Sequence, residues 1–386
     1  MHWRTKLVQS QQDTSEKEFH SLAPATYRGS TVVFETPEAI SDDWRQSENG
    51  FTYGSFGTPT TLQLGSRIAE IEGAMHTFIT PGGLAAITLV YLAFCRASSH
   101  VLLPESVYAP NRELAEGVMA GLGIAVQGYD PLIGNAISNM IRPETSLIWC
   151  ESPGSVTMEV QDVPAIVAAA HARGVPVALD NSYAAGVLLD AFSFDVDVSM
   201  QALTKYVGGH SDLVLGSVSV GTKSAYERVG QTLALLGMVP SPDDCNLAMR
   251  GLQTLGVRLE FLERSTLLIA DWLSKRPEIE TILHPALPSC PGHEIWRRDF
   301  TGSASIFSIV LDQAYSPAQV DAFVSALKLF KIGYSWGGVT SLVMLYPELR
   351  RPDRKYGGRL VRLNIGLEHP ADLISDLSTA LAALHS

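Results

Sequence analysis

Between about residues 60 and 220, short apolar runs alternate with longer segments in which apolar residues recur at helical spacing. This alternation is typical of β-α-β units, in which helices cover both faces of a mostly parallel, buried sheet. Ligands bind such sheets at the carboxyl ends of the strands, so the polar residues that follow each run are the first candidates for a functional site. The strand-like runs are 100–103, 124–126, 147–150, 175–179 and 196–200, and the helical segments are 83–96, 111–121 and 163–173.

The texture of the sequence changes twice outside this region. Residues 1–50 are polar and irregular apart from a strand-like run at 30–34, so we expect an amino-terminal arm. Residues 51–245 would form the larger domain, and 246–386 a smaller α+β domain with an antiparallel sheet. The patterns in this last part predict helices over 247–273, 317–330 and 370–385 and strands over 303–311 and 341–346.

Charge and composition restrict the class of partner. The net charge is −12 with a pI near 5.3, and no basic run is longer than Arg350-Arg351, which argues against nucleic acid. The four cysteines lie far apart without a Cys-x-x-Cys pair, so neither a zinc site nor a disulfide framework is expected. The longest apolar stretch, near 82–94, is shorter than the roughly 20 residues of a bilayer span, and no leader is evident. We expect a cytoplasmic enzyme with a small substrate, no metal and no membrane partner.

Lys205 is the first candidate for chemistry. It stands between Leu203-Thr204 and Tyr206-Val207-Gly208-Gly209, an apolar setting after a predicted strand. There its amine can point into a cleft, although a surface lysine with a buried stem is the alternative. A buried lysine amine suits a Schiff base with the aldehyde of pyridoxal 5'-phosphate (PLP). That cofactor also requires a carboxylate at its ring nitrogen, donors for its phosphate and an aromatic ring to stack on it.

Candidates for each of these parts lie elsewhere in the chain. Asp180 follows the run Val177-Ala178-Leu179, where a buried acid needs a cationic partner such as a protonated ring nitrogen, although it could also be a helix N-cap. The turn Pro81–Ala86 opens a helix whose free N–H groups suit a phosphate, unless it is a plain turn. Tyr108 could stack on the ring or simply pack in the core. Arg362 could clamp a substrate carboxylate or join a surface ion pair.

The order and spacing of several motifs resemble the Cys/Met-metabolism family of PLP-dependent enzymes (fold type I), and within it the β-lyase branch. The resemblance runs from about Thr31 to Leu381. It is carried by Tyr53-Gly54-x-x-Gly57-Thr58, 151–160 (ESPGSVTMEV), 180–187 (DNSYAAGV), 204–212 (TKYVGGHSD), 250–258 (RGLQTLGVR), 284–288 (HPALP) and 334–338 (YSWGG).

This resemblance implies a fold, an activity and an assembly. The larger domain would contain a mostly parallel seven-stranded sheet, and the chain would form a homotetramer with sites at subunit interfaces. The reaction would be the β-elimination of L-cystathionine or a related sulfur amino acid to a thiol, pyruvate and ammonia, as part of methionine metabolism.

The resemblance also implies a role for each site residue. Lys205 would bind the cofactor aldehyde and act as the general base. Asp180 would pair with the ring nitrogen of the cofactor, and Tyr108 would stack on the ring. The phosphate would be bound by Gly83, Leu84 and Thr204, with Tyr53 from a neighbouring subunit. The substrate carboxylate would be bound by Ser335 and Arg362, with Trp336 beside them.

Three positions depart from the family pattern. Ser55 stands where the family commonly has the arginine of a Tyr-x-Arg motif. The cofactor phosphate would therefore lose a charge-assisted hydrogen bond worth about 1.5–3 kcal/mol. Arg28 is a possible replacement. Ala202 stands where many relatives have serine, and Thr340 replaces a common glutamate near the substrate end.

Two alternatives to a β-lyase therefore stay open. The γ-lyases and γ-synthases of the family share the cofactor but usually have Glu-Ser-Pro-x-Asn-Pro and Ser-Leu-Gly-Gly. This chain instead has Glu-Ser-Pro-Gly-Ser at 151–155 and Tyr-Ser-Trp-Gly-Gly at 334–338. A non-catalytic protein with the same fold is the second alternative, motivated by the missing phosphate donors. A nicotinamide dehydrogenase is disfavoured because no Gly-x-Gly-x-x-Gly follows the first strand.

Overall fold

A seven-stranded sheet forms the centre of the larger part of the computed structural model, which describes residues 2–8, 22–349, 356 and 358–385. Its strands are β1 (His76–Thr80), β2 (His100–Pro104), β3 (Ala125–Tyr129), β4 (Thr145–Glu151), β5 (Val177–Asp180), β6 (Val198–Gln201) and β7 (Gly216–Val220). Their order is β1-β7-β6-β5-β4-β2-β3. Strand β7 runs opposite to the other six strands, which all point the same way. The predicted mostly parallel seven-stranded sheet is confirmed.

Both faces of this sheet are buried, which explains why its strands read as continuous apolar runs. Successive side chains of β2 point to opposite faces: Leu102 belongs to one buried cluster, and Val101 and Leu103 belong to another. The helices of this part are α1 (Trp3–Val8), α2 (Gln46–Asn49), α3 (Pro59–Glu72), α4 (Gly83–Phe94), α5 (Ala109–Leu114), which continues as a π-helical turn over Ala115–Met119, α6 (Val163–His171) and α7 (Lys223–Leu236).

A second, five-stranded sheet follows in the carboxy-terminal part of the chain. Its strands are β8 (Ile279–Leu283), β9 (Ile306–Leu311), β10 (Lys331–Ile332), β11 (Leu342–Leu345) and β12 (Leu360–Asn364), in the order β10-β11-β12-β9-β8. All neighbours are antiparallel except the short β10 and β11. The helices of this part are α8 (Pro242–Leu273), α9 (His293–Asp299), α10 (Pro317–Ala326) and α11 (Pro370–Ala382).

Helix α8 connects the two parts. Its start is set by Ser241, whose hydroxyl accepts the N–H of Asp243, and by Pro242 in the first turn. The domain boundary predicted at residue 245 lies inside this helix, close to its beginning. The division into 1–50, 51–245 and 246–386 stays a prediction. Within the described ranges, no helix is both long and apolar enough to span a bilayer.

The strand expected over residues 30–34 is wrong. Only Thr31 forms a bridge, with Tyr53, and no ladder continues from it. Val33 is 88% exposed, so this apolar side chain has no face of the chain to pack against. A short run of β-branched and aromatic residues therefore did not distinguish a strand from an extended arm.

Candidate active site

A cavity of about 460 Å³ opens at the carboxyl ends of β4, β5 and β6. This is the position at which a parallel sheet binds ligands, because the loops that follow the strands diverge there. Glu151 and Asp180, the last residues of β4 and β5, lie side by side in the sheet register and both line the cavity. The predicted residues that line it are Gly83, Leu84, Tyr108, Asp180, Thr204, Lys205, Trp336 and Arg362.

Lys205 projects its amine into this cavity from a tight turn after β6. The turn is held by the N–H of Gly209, which donates to the carbonyl of Lys205 at 2.7 Å, and Gly209 has a φ of +70°. The Lys205 Nζ donates to Ser335 Oγ at 2.7 Å and lies 5.3 Å from the centre of the Trp336 ring. Burial, followed by the nearby charge of Arg362, lowers the pKa of this amine to about 8. About a tenth of the amine is therefore neutral at pH 7, and the neutral fraction rises with pH.

Asp180 is a buried carboxyl without an ion pair among the described residues. Its Oδ1 accepts the backbone N–H of Ser182 at 3.0 Å. Burial raises its pKa, whereas hydrogen bonds from Ser182 and the charge of Lys205 act in the opposite direction. A cationic ring nitrogen in the cavity would supply the partner that a buried carboxylate requires.

Glu151 is a second buried carboxyl; it is one of the polar residues that follow a predicted strand, but no role was predicted for it. Its Oε2 accepts the backbone N–H of Tyr108 at 2.8 Å. Burial and the neighbouring carboxyl of Asp180 raise its pKa well above the usual range. Because two like charges this close are unfavourable, Glu151 is suited to stay protonated and to hold the Tyr108 segment, leaving the charge on Asp180.

The glycine turn before α4 borders the opposite side of the cavity. A Cβ on Gly83 would lie 2.9 Å from the Ala202 Cβ, so only glycine allows this close approach. The first N–H groups of α4 have no acceptor inside the helix, and Gly83 and Leu84 both line the cavity. These donors and the positive end of the helix dipole suit a phosphate.

Thr204 is near this turn, but its hydroxyl is already engaged. Its Oγ1 donates to the carbonyl of Leu215 and accepts the Leu215 N–H, both at 3.1 Å. Ser182, which was not predicted, also lines the cavity, and its Oγ accepts the N–H of Ala202 at 2.8 Å. The side chain of Ser182 also hydrogen-bonds to Asp180.

Arg362 approaches from the small sheet. It lies on β12, is 8% exposed, and its Nη2 donates to the carbonyl of Ser335 at 3.3 Å. Its guanidinium carbon lies 5.3 Å from the centre of the Tyr346 ring. Ser335 has a φ of +78°, an uncommon conformation for a residue with a side chain.

A second space of about 560 Å³, which we term the outer chamber, adjoins the cavity. Tyr108, Lys205, Trp336 and Arg362 border both spaces, so a molecule anchored near Lys205 has room to extend outward. The outer chamber is lined in addition by Ser335, Tyr334, Tyr346, Glu105, Glu113 and Glu348.

Some predicted positions lie outside both spaces. Tyr53 is 49% exposed and lines neither the cavity nor the outer chamber. Arg28 is paired with Asp243 on the surface and likewise lines neither. Thr340 is exposed, and its carbonyl accepts from Asn364 at 3.3 Å.

Taken together, the cavity residues fit PLP. A buried amine of lowered pKa lies in the same cavity as a buried carboxyl that lacks a cation, next to a glycine-rich helix start. Across the described ranges, no cluster of three or more His, Cys, Asp or Glu side chains is arranged to hold a metal ion. The chemistry of this donor set is that of an aldehyde cofactor with a phosphate.

Comparisons with known proteins point the same way. The family described as "Cys/Met metabolism PLP-dependent enzyme" matches residues 4–382. A putative cystathionine beta-lyase of Rhizobium johnstonii is 42% identical, over 94% of this chain and 91% of its own length. The cystathionine beta-lyase of Salmonella typhimurium is 39% identical, over 98% of each chain.

Other relatives carry different descriptions. An L-alanine/L-glutamate racemase of Wolbachia pipientis is 38% identical, over 94% of this chain and 93% of its own length. Among solved structures, the cystathionine gamma synthase of Xanthomonas oryzae superposes with a TM-score of 0.91 at 26% identity, covering 100% of this chain and 99% of that one. Proteins similar to this chain thus carry the names of more than one reaction.

Proposed function

Because the chain belongs to the Cys/Met metabolism family of PLP-dependent enzymes, we propose that it is a carbon–sulfur β-lyase that acts on L-cystathionine or a related sulfur amino acid. The products would be a thiol, pyruvate and ammonia. The identity of 39–42% with cystathionine beta-lyases over nearly the whole chain supports this choice. The observation that carries it is the amine of Lys205, buried in one cavity with Asp180 and Arg362.

The cavity residues would hold the cofactor as follows. Lys205 binds the aldehyde through Nζ, Asp180 holds a proton on the ring nitrogen, and Tyr108 stacks on the ring. Gly83 and Leu84 donate their backbone N–H groups to the phosphate. The hydroxyl of Thr204 contributes only if it turns away from Leu215, and Tyr53 acts from a second copy of the chain, which its exposed position favours. When bound, PLP supplies an electron sink that weakens the bonds at the Cα of an amino acid.

Lys205 then moves the protons of the reaction. Once the amino group of the substrate is bound, the neutral Nζ would take the proton from Cα. The Cβ–S bond breaks, and the sulfur leaves with its electron pair and a proton from Nζ or from the phenol of Tyr108. Burial raises the pKa of Tyr108, so the phenol carries its proton at neutral pH. The three-carbon remainder takes up water and leaves as pyruvate and ammonia.

Arg362, Ser335 and Trp336 would bind the substrate. Arg362 and the Ser335 hydroxyl face the position of the α-carboxylate, with Trp336 beside them. The outer chamber, with a volume of about 560 Å³, accommodates the leaving group beyond the sulfur. We also propose a homotetramer in the cytoplasm. The exposed Tyr53 motif favours a subunit interface, and four buried cysteines that lie far apart in the sequence, without a Cys-x-x-Cys pair, suit a reducing compartment.

Identification of the keto acid tests this proposal. Purified protein is loaded with PLP and given cystathionine, cystine, methionine or a homoserine ester, and the product is identified by mass spectrometry. Pyruvate supports β-elimination, whereas 2-oxobutyrate indicates γ-elimination. Lys205→Ala is expected to release no pyruvate and to lose the absorbance at about 420 nm of the lysine-bound cofactor. A protein that stays colourless with PLP and releases no keto acid would be the non-catalytic relative.

Racemisation is a second candidate, favoured by the 38% identity with the alanine/glutamate racemase. Both reactions begin when the Lys205 amine removes the Cα proton, and they differ in whether that proton returns to Cα. L-alanine has no leaving group at Cβ, so it isolates this step. Chiral chromatography after incubation with L-alanine measures it directly: accumulation of D-alanine at a rate comparable to pyruvate release from cystathionine would replace the β-lyase assignment.

A further inference from the structure

The ring of Tyr346 lies under the guanidinium of Arg362, and no sequence motif predicted a role for it. We propose that Tyr346 is a positioning residue that fixes Arg362 for the α-carboxylate of the substrate, and thereby makes the site selective for α-amino acids over amines without a carboxylate. The inference rests on the proposed role of Arg362 as the carboxylate clamp.

Strand register brings the two side chains together. In the antiparallel pair of β11 and β12, Met344 stands opposite Arg362, and the N–H of Tyr346 donates to the carbonyl of Leu360 at 3.1 Å. Tyr346 is therefore the diagonal neighbour of Arg362 on the same face of the sheet, a spacing that long and aromatic side chains bridge. The distance of 5.3 Å between the Arg362 Cζ and the centre of the Tyr346 ring agrees with this placement.

Arg362 is a buried cation, so its contact with the Tyr346 ring matters more than it would at the surface. The residue is 8% exposed, and among the described residues no carboxylate pairs with it. Its hydrogen bond to the protein goes to the carbonyl of Ser335, a neutral acceptor, at 3.3 Å. A buried cation with so little compensation depends on the electron-rich face of the ring more than an exposed arginine does.

The remaining N–H donors of Arg362 are available to a ligand. A guanidinium has five donors in a planar fork, and its plane must be fixed for two of them to meet a carboxylate together. Stacking on Tyr346 restricts that plane on the side of the outer chamber, and the bond to the Ser335 carbonyl restricts one end. Without the ring, the guanidinium would rotate and bind the carboxylate through a single donor.

A matched pair of ligands isolates this effect. L-alanine and ethylamine differ only in the carboxylate, and neither carries a leaving group at Cβ. Their binding to the PLP-loaded protein is measured by titration of the visible absorbance, which reports affinity without turnover. The selectivity is the ratio of the two dissociation constants.

Three variants are compared with the natural chain. Tyr346→Phe keeps the ring and should keep the selectivity. Tyr346→Leu and Tyr346→Ala remove the ring, and each should weaken L-alanine binding by about tenfold while ethylamine changes less than about twofold. Tyr315→Ala is the control, because it removes a phenol from the carboxy-terminal part that lines neither the cavity nor the outer chamber and packs against His385 instead. Its selectivity should not change.

The leucine variant guards against misfolding, since it retains apolar volume at a half-buried position. Equal weakening of both ligands, or no change in either, in a Tyr346→Leu protein with natural circular dichroism would overturn the inference. The result is independent of the reaction: a selectivity that falls as expected in a protein that makes 2-oxobutyrate would refute the β-lyase assignment and retain the role of Tyr346.

Discussion

The floor and the wall of the cavity are built by different means. The floor consists of the strand ends and turns of the large sheet that carry Asp180, Lys205 and Gly83, whereas the wall consists of Ser335, Trp336, Arg362 and Tyr346 from the carboxy-terminal part. The floor residues are placed by local features: the end of a buried strand, a tight turn and a glycine contact. In the wall, Arg362 and Tyr346 are brought together by the pairing of β11 with β12. From this difference we expect the floor residues to carry out the chemical step and the wall residues to determine which substrates bind.

The largest expected effect concerns the floor. Asp180→Asn should lower kcat by about 10³-fold, because the amide cannot hold a proton on the ring nitrogen. KM should change little if, as proposed, the wall residues bind the substrate. Steady-state kinetics of pyruvate release with cystathionine measure both, and Asp190→Asn, at an exposed N-cap, is the control. A loss confined to KM would contradict the division between floor and wall.

The wall is expected to respond in the opposite way. Arg362→Lys should raise KM by about 10²-fold and lower kcat much less, because a lysine amine cannot form the paired hydrogen bonds of a guanidinium. The same kinetic assay applies. Arg359→Lys provides the control, since Arg359 pairs with Glu280 beside the same strand and lines neither the cavity nor the outer chamber. If kcat fell and KM stayed the same, Arg362 would act in the chemical step and not in substrate binding.

A change of pH is expected to have a smaller effect, on the rate at which Lys205 in the floor binds PLP. The pKa of the Lys205 amine is lowered by burial to about 8, and only the neutral amine attacks an aldehyde. The neutral fraction therefore rises with pH, and uptake of PLP by cofactor-free protein should be about tenfold faster at pH 9 than at pH 7. Stopped-flow absorbance follows the reaction. A rate that keeps rising in proportion to hydroxide up to pH 10 would show that the amine has an ordinary pKa.

The floor could be predicted from the sequence because each part has a local signal. An acid after an apolar run marks the end of a buried strand, and this signal identified Asp180. The same signal is present at Glu151, after the run 147–150, and identifies it equally well in hindsight. The glycine turn before a predicted helix also identified Gly83 and Leu84, which line the cavity.

The rest depended on information that a single pattern does not contain. Tyr346 was placed in a predicted strand, but its contact with Arg362 follows from strand register, which a sequence pattern does not define. The bonds of Thr204 to Leu215 join residues from opposite sides of a loop. The role predicted for Tyr53 involves a second copy of the chain and stays a prediction.

The most direct test of the account is to locate the cofactor on the chain. Borohydride converts a lysine-bound aldehyde cofactor into a stable secondary amine, and peptide mass spectrometry after proteolysis identifies the modified residue. The account predicts a single pyridoxyl-phosphate mass on the peptide that contains Lys205, and none in Lys205→Ala. Stoichiometric modification of a different lysine, or of no lysine in a protein that has taken up PLP, would contradict it.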